Sequence, residues 1–310
     1  MVELSIVIPV YDAEACLFAL HGRLTRTLAG LATAYEIVLV DDASHDASWK
    51  ILVQLATRDP CVKAFRFSRN FGQHAAITAG LTQCTGRWAI LMDCDLQDPP
   101  EDVPRLYAKA REGYDIVLAR RLERQHSLLR QMAARLYFGF LGFFHGTKFD
   151  PTLGSFSIIS RQVVEAFLSV HDRARQYLLI LYWLGFRVGT IDYSHGSRLA
   201  GKSTYSISAL LRHAMDGMVF QTTVLLRWIV YLGFVLALGG FFLAALLVYS
   251  WFARSAFPGW TSLAVLTLLI GGFVTISIGV VGLYVGRIFD EVRERPLYVI
   301  SRRIVNGIER

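Results

Sequence analysis

The sequence predicts an α/β head built on a Rossmann-like, mostly parallel sheet, followed by a pair of membrane-spanning helices. Three observations carry this reading. Short apolar runs alternate with helical stretches over residues 1–125, the pattern of a parallel sheet covered on both faces. Polar and acidic residues collect just behind the apolar runs, where such sheets bind ligands. Beyond Leu225 the chain turns strongly apolar, with two long uncharged stretches.

Leu4–Val10 is an apolar run containing Pro9 and reads as a first buried strand. Ala13–Leu31 follows with apolar residues at helical spacing. Tyr35–Val40 is a second strand that runs into Asp41 and Asp42. Ala47–Thr57 is helical, with Asp46 placed as an N-cap. Val62–Phe67 is a third strand, and Gln73–Cys84 is an alanine-rich helix. Trp88–Met92 is a fourth strand with Asp93 directly behind it. Glu101–Glu112 is a helix entered through Pro99 and Pro100, as helices often are. Ile116–Ala119 closes the series as a fifth strand.

Leu128–Phe144 mixes Arg130 and Arg135 with five Phe or Tyr residues. It reads as an amphipathic helix lying in a membrane interface, or else as a core helix with a charged outer face. Ser203–Leu225 is a weaker candidate of the same kind. Trp228–Phe252 carries no charge over 25 residues, and Ala256–Gly286 carries none over 31. Each exceeds the roughly 20 residues that cross a bilayer. A turn around Arg254, Pro258 and Gly259 joins them into a hairpin. Arg212, Arg227, Arg287, Arg293 and Arg295 flank the pair, so both termini are expected in the cytoplasm. Gly271, Gly272, Gly279, Gly282 and Gly286 permit close helix packing, and with it a homo-oligomer.

Hydrophobic residues make up 54% of 310, above the range of ordinary soluble domains, and the surplus lies in the tail. A net charge of +7 admits nucleic acid as a partner. The arginines argue otherwise. They cluster at Arg120, Arg121, Arg124, Arg130 and Arg135, and again at Arg287, Arg293, Arg295, Arg302 and Arg303, beside apolar segments. Membrane lipids or a phosphorylated lipid are the expected partners, and no nucleic acid. The four cysteines show neither CxxC nor metal-ligand spacing and read as reduced thiols. No basic n-region or cleavage site stands before Leu4, so the head is expected in the cytoplasm.

The sharpest motif is Asp93-Cys-Asp95-Leu-Gln97-Asp98-Pro99-Pro100. Carboxylates two residues apart, with an amide oxygen two further on, are hard donors that suit Mg²⁺ or Mn²⁺. Such an ion stabilises a departing diphosphate. The plain alternative is a surface turn rich in Asp and Pro; its place right behind Ile90-Leu91-Met92 favours the site. Asp42 suits a nucleobase or ribose, or joins Ser44 and Asp46 in capping a helix. No GxGxxG or Walker pattern is present, which disfavours a dinucleotide dehydrogenase and a P-loop kinase.

Val7-Ile-Pro9-Val-Tyr11, Val40-Asp41-Asp42-Ala-Ser44, Ser68-Arg69-Asn70-Phe71-Gly72 and the acidic motif stand in this order along the chain. Together they resemble family 2 glycosyltransferases of the GT-A fold, in the branch that glycosylates polyprenyl phosphates. That branch includes dolichyl-phosphate mannose synthase and bacterial undecaprenyl-phosphate glucosyl- and aminoarabinosyltransferases. The double span followed by Glu291-Val-Arg293-Glu-Arg295-Pro296-Leu-Tyr298 resembles the bacterial members. The resemblance implies four parts: a nucleotide-sugar-binding core at 1–125, an acceptor side at 126–225, the hairpin at 226–287 and a cytoplasmic basic tail at 288–310. It implies a nucleotide-sugar donor, with uridine over guanosine, a polyprenyl phosphate acceptor and Mg²⁺ or Mn²⁺.

Residue by residue, Pro9, Tyr11 and Glu14 resemble the family's nucleoside-contacting stretch, with Asp12 where Asn is common. Asp42 resembles its base- or ribose-binding acid, Asp93 the acid beside the nucleotide, and Asp95 and Gln97 the metal ligands. Arg120 resembles the arginine near the phosphates; Asp93, Asp95 and Arg120 are thus the implied catalytic set. Arg198 and the Gly201-Lys202-Ser203 turn resemble the loop that meets the lipid phosphate, together with Arg120. The chain departs from the family at Gln73, Ser157 and Thr204, where cationic residues are common. Those departures are the sole support for a non-catalytic membrane scaffold. A processive polysaccharide synthase would need more spans and a QxxRW pattern, which is missing.

Overall fold

The computed structural model describes residues 2–31, 33–121, 152–170, 172, 175–194, 229–236, 238–242, 249 and 260–309. The chain divides into two compact units. The first holds Met1–Arg135, Asp150–Thr204 and Pro296–Arg310; the second holds Leu136–Phe149 and Tyr205–Arg295.

The first unit begins with β1 (Leu4–Val10), α1 (Leu17–Ala29), β2 (Tyr35–Asp41), α2 (Ser48–Arg58), β3 (Val62–Phe67), α3 (Gln73–Gln83) and β4 (Trp88–Leu91). A 3₁₀ turn at Pro100–Asp102 leads into α4 (Val103–Ala110), then β5 (Ile116–Arg121). After residues 122–151 come β6 (Leu153–Ser160), α5 (Arg161–Ser169), α6 (Tyr177–Leu184) and β7 (Val188–Tyr193). The chain returns at Pro296 for β8 (Ile300–Val305) and β9 (Ile308–Glu309). All strands join one sheet in the order β7-β5-β6-β4-β1-β2-β3-β8-β9.

The expected parallel core is present: β1 pairs in parallel with β2 and β4, and β2 with β3. The rest of the sheet is mixed. β6 runs antiparallel between β4 and β5, so the fourth and fifth strands are not neighbours. β7 lies outside β5 in parallel, and β8 covers the far edge beside β3 in antiparallel register. The residues from Ile300 to Glu309, read from sequence within a basic tail, thus extend the sheet as two strands.

Burial explains the helices. Leu17, Leu20, Leu24 and Leu28 of α1 recur at helical spacing and pack, with Trp49, Leu52 and Leu55 of α2 and Leu106 of α4, on one sheet face. Ala76 and Ile77 of α3, Val163 and Phe167 of α5, and Tyr177 and Leu181 of α6 cover the other. Ser160 caps α5 by accepting the Val163 N–H. Gly72 enters α3 at φ +94°, a backbone region that a side chain disfavours.

A buried carboxylate also stands at the opposite end of β2 from the acids. Glu36 is 3% exposed and accepts bonds from Ser5 (2.6 Å), Lys63 and Thr85. These tie β1, β2, β3 and the turn before β4 together.

The second unit contains α7 (Trp260–Val292), a 33-residue helix about 50 Å long. Thr267, Thr275 and Ser277 donate their hydroxyls to carbonyls one turn back, so these polar groups are satisfied within the helix. Residues 229–236 and 238–242 are also helical. Counted over the described residues, no helix is long and apolar enough to cross a membrane; the uncharged run from Trp260 to Gly286 is a property of the sequence. The two expected interfacial helices, Leu128–Phe144 and Ser203–Leu225, lie outside the described residues.

Burial opposes charge on Glu36, but the bonds from Lys63, Ser5 and Thr85 outweigh it and hold its carboxyl below the usual range. A depressed carboxyl stabilises the fold above its unfolded value and loses that contribution as pH falls through the folded one. Glu36→Gln should therefore cost about 1–3 kcal/mol at pH 7, with the deficit shrinking below pH 4.5. Thermal unfolding of the purified protein between pH 7 and pH 3.5 checks this. A deficit constant across the range would show that the charge does not hold the strands.

Candidate active site

Because β1, β2 and β4 are parallel, their carboxyl ends open on one edge of the sheet. β6 enters antiparallel, so its first residues reach the same edge, and β5 and β7 end there together. Three non-glycine residues sit with positive φ in the turns of this edge: Asp12 (46°), Ala43 (57°) and Leu96 (62°). For a leucine this is a costly backbone state, of the kind found where a loop is shaped for a ligand.

The acid loop follows β4. Asp93 Oδ1 accepts from Gln73 Nε2 at 2.9 Å, and its Oδ2 accepts from Ser155 Oγ at 3.2 Å. Its N–H donates to Asp98 Oδ2 at 3.3 Å. Asp98 is 1% exposed, and its Oδ1 accepts from the Tyr193 hydroxyl at 2.7 Å. Asp95 Oδ1 accepts the Gln97 N–H at 3.1 Å, which folds these two side chains into one turn. Burial pushes the Asp93 carboxyl up to about 7, and the negative charges of Asp98 and Asp95 push in the same direction. Burial also raises the Asp98 carboxyl. Arg121 is the cation that acts on both acids, and its Nε donates to Tyr193 Oη at 3.1 Å.

Asp93, Asp95 and Asp98 stand in one short loop and Arg121 acts on two of them, Asp93 and Asp98, which leaves an excess of negative charge that fits a divalent cation. Asp95 and Gln97 carry the hard oxygens that would hold such an ion, with diphosphate oxygens and water to complete its shell. Among the described residues no three His, Cys, Asp or Glu side chains form a metal cage. Such a site suits an ion delivered with a phosphorylated ligand.

The residues expected to contact a nucleoside are placed as follows. Pro9 is buried within β1, opposite Val40. Tyr11 is exposed, and its hydroxyl meets His45 Nδ1 at 3.2 Å. Glu14 Oε2 accepts the Ala47 N–H at 2.8 Å, and Asp46 Oδ2 accepts the Glu14 N–H at 3.0 Å, so the turns after β1 and β2 latch reciprocally. Asp42 is 3% exposed and gives both oxygens to backbone, accepting the N–H of Phe71 (2.6 Å) and Gly72 (2.8 Å). Burial raises its carboxyl against those two bonds. Asp42 thus anchors the 68–72 loop rather than presenting a free carboxylate.

Arg120 does not face the acids. It pairs on the surface with Asp192, Nε to Oδ1 at 2.6 Å. Successive side chains of a strand point to opposite faces, so the cation at the acids is its neighbour, Arg121. Both arginines end β5, which runs two residues beyond the Ala119 read from sequence, and a strand carried through them would have separated the pair by alternation. Gln73 and Ser157, expected as losses of cationic lining, have neutral duties: Gln73 holds Asp93, and the buried Ser157 hydroxyl links Ser155 O to Tyr177 Oη, both at 2.8 Å. Ser155 and Tyr193 were not singled out from sequence; their strands, β6 and β7, enter the site only through the fold. Arg198, Lys202, Ser203 and Thr204 lie outside the described residues.

Comparison with known proteins places this geometry. Residues 5–168 match the family model described as glycosyl transferase family 2. An uncharacterized glycosyltransferase of Synechocystis is 36% identical over 302 residues, 97% of this chain and 95% of the relative. The undecaprenyl-phosphate 4-deoxy-4-formamido-L-arabinose transferase of Photorhabdus laumondii is 37% identical over 308 residues, 97% of this chain and 94% of the relative. Among solved structures, glucosyl-3-phosphoglycerate synthase of Mycobacterium tuberculosis, crystallised with Mn²⁺, uridine diphosphate and phosphoglyceric acid, superposes with a TM-score of 0.51 at 15% identity. That match covers 70% of this chain and 76% of the other. At that identity the likeness is one of fold.

A carboxyl raised in the folded state weakens the fold as pH climbs from the ordinary carboxylate range through about 7. Asp93→Asn keeps an oxygen for Gln73 or Ser155 and removes the charge. In EDTA the variant should gain on wild type by on the order of 2 kcal/mol between pH 5 and pH 8. Thermal melts at the two pH values measure the change; an equal offset at both would mean that Asp93 is not held under electrostatic strain.

Proposed function

Since this chain belongs to glycosyl transferase family 2, and is thereby a glycosyltransferase, we propose that it moves a sugar from a nucleotide-sugar, UDP-linked by preference, to the phosphate of a polyprenol. The observation that carries the reading is the acid loop on the carboxyl edge, with Arg121 set against it. Relatives that match along nearly the whole chain, from Photorhabdus laumondii and Proteus mirabilis, are named as transferases to undecaprenyl phosphate. Undecaprenyl or dolichyl phosphate is the acceptor class proposed here.

The acceptor sets the chemistry. A phosphate monoester has its second pKa near 6, so its oxygen is already anionic at neutral pH and needs no strong base. The protein must bring two anionic groups into line and exclude their repulsion. Arg121, whose charge acts on Asp93 and Asp98, would meet the donor diphosphate, the part expected of Arg120. Arg198, Lys202 and Ser203 are proposed to bind the lipid phosphate, a duty that bidentate arginine contacts suit. Asp95 and Gln97 would hold Mg²⁺ or Mn²⁺, which would neutralise charge on the departing nucleoside diphosphate. Tyr11 and the latched turns after β1 and β2 would seat the nucleoside. Attack from the side opposite the nucleotide inverts the anomeric carbon.

The membrane reading rests on the sequence of the tail. Trp228–Phe252 and Ala256–Gly286 are proposed as two spans with the head and both termini cytoplasmic. A polyprenyl phosphate presents its headgroup at that membrane face, where a donor from solution would reach it.

Purified protein with undecaprenyl phosphate, Mn²⁺ or Mg²⁺ and a panel of UDP- and GDP-sugars tests the reaction, with mass spectrometry of the lipid product. One donor should be consumed, and product should vanish in EDTA. Asp95→Ala and Arg121→Met should each lower turnover at least about 100-fold, roughly 3 kcal/mol. Arg120→Met, which loses the exposed pair with Asp192, should stay within about threefold. Equal losses at both arginines would reject the assignment of Arg121, and a product with retained anomeric configuration by NMR would reject direct attack.

A further inference from the structure

We propose that the Tyr193 hydroxyl is a positioning group for the donor site, joining Arg121 to the acid loop through Asp98. The inference rests on the family reading, because that reading places Arg121 and the acid loop at the donor diphosphate.

Tyr193 ends β7, in register with Arg121 at the end of β5. Its side chain is buried, with the ring edge-on to Phe156 at 5.5 Å. A phenylalanine would fill this slot and keep that contact, so packing does not account for the hydroxyl. Hydrogen-bond directions do. A guanidinium only donates, so the Arg121 Nε–H at 3.1 Å ends on the tyrosine oxygen. The single phenolic proton then goes to Asp98 Oδ1 at 2.7 Å. The second Asp98 oxygen accepts the Asp93 N–H at 3.3 Å.

These three bonds form one chain from the fifth strand to the backbone of the first acid. Asp95 and Gln97 lie between its two attachments, Asp93 and Asp98, in a stretch that also holds Leu96 at φ +62°. A loop in that backbone state keeps its shape only if both ends are held. Room has been left for the cation: a side chain at Gly154 would place its Cβ 3.0 Å from Arg121 Nη2. Tyr193 need not touch the donor. It sets where the Arg121 charge stands and how the acid loop closes. Replacing it with phenylalanine would strip one partner from each of two charged groups, which costs more than losing a bond between neutral ones.

The test uses full-length protein in detergent, with isothermal titration of UDP in the presence of Mn²⁺. Tyr193→Phe should weaken UDP about tenfold while the melting temperature moves by only a few degrees. Asp98→Asn, which keeps an acceptor oxygen but not the charge, should weaken UDP as well and supplies the same test should Tyr193→Phe not fold. Added to Arg121→Met, Tyr193→Phe should change affinity little further, because the two act as one unit. If Tyr193→Phe binds as wild type does, or its effect adds in full to that of Arg121→Met, Tyr193 is a core residue and the inference fails while the family reading stands. If wild type binds neither UDP nor GDP with Mn²⁺, the donor reading fails and takes this inference with it.

Discussion

Asp93 and Asp98 are carboxylates raised by desolvation within one short loop, with Asp95 between them and one guanidinium, that of Arg121, acting on both. Desolvation and like charge both oppose that arrangement, and neither Gln73 nor Ser155 brings a compensating charge. Such crowding persists only where the surroundings over-determine it. Five pieces of chain do so here: the end of β4, the first turn of α3, the start of β6 and the ends of β5 and β7. The mixed sheet is what brings them to one edge, since β6 must run antiparallel for Ser155 to arrive beside Asp93.

The neighbouring turns show the same economy in polar groups. Asp42, Glu14 and Asp46 could each be read as ligand-binding residues, yet each satisfies backbone N–H groups of another turn. Asp12 does likewise by accepting the His45 N–H at 2.8 Å. Carboxylates placed this way hold irregular backbone that has no helix or strand partner. They shape the edge, where Tyr11, Asp12 and Glu14 stand exposed. At the opposite end of the sheet Glu36 performs the same duty for β1, β2 and β3.

Much of the first half of the fold was legible. Leu4–Val10 and Val62–Phe67 are strands over the residues read from the sequence, because both are apolar runs closed by clear breaks. The first helix came out shorter than read, at Leu17–Ala29, since apolar residues before Leu17 pack in the core without being helical. β6 to β9 were not legible as strands. β8 carries Arg302 and Arg303 and lies at the sheet margin, where charged side chains are tolerated and pattern is weak. Of the site, the acid loop was legible from residue types alone. The cation that acts on Asp93 and Asp98 is Arg121, the neighbour of the arginine read from the sequence, and one residue in a strand is the difference between the two faces.

The amino-acid sequence by itself determined the alternation of strands and helices, the acids behind the fourth strand and the long uncharged tail. These are local properties, written in periodicity and composition. Only the tertiary structure decided which polar groups meet. Arg121 and Tyr193 stand 72 residues apart, and Tyr193 and Asp98 stand 95 apart. No pattern in a linear chain encodes such pairs, because sheet register and strand order set them, and those follow from the packing of the whole core.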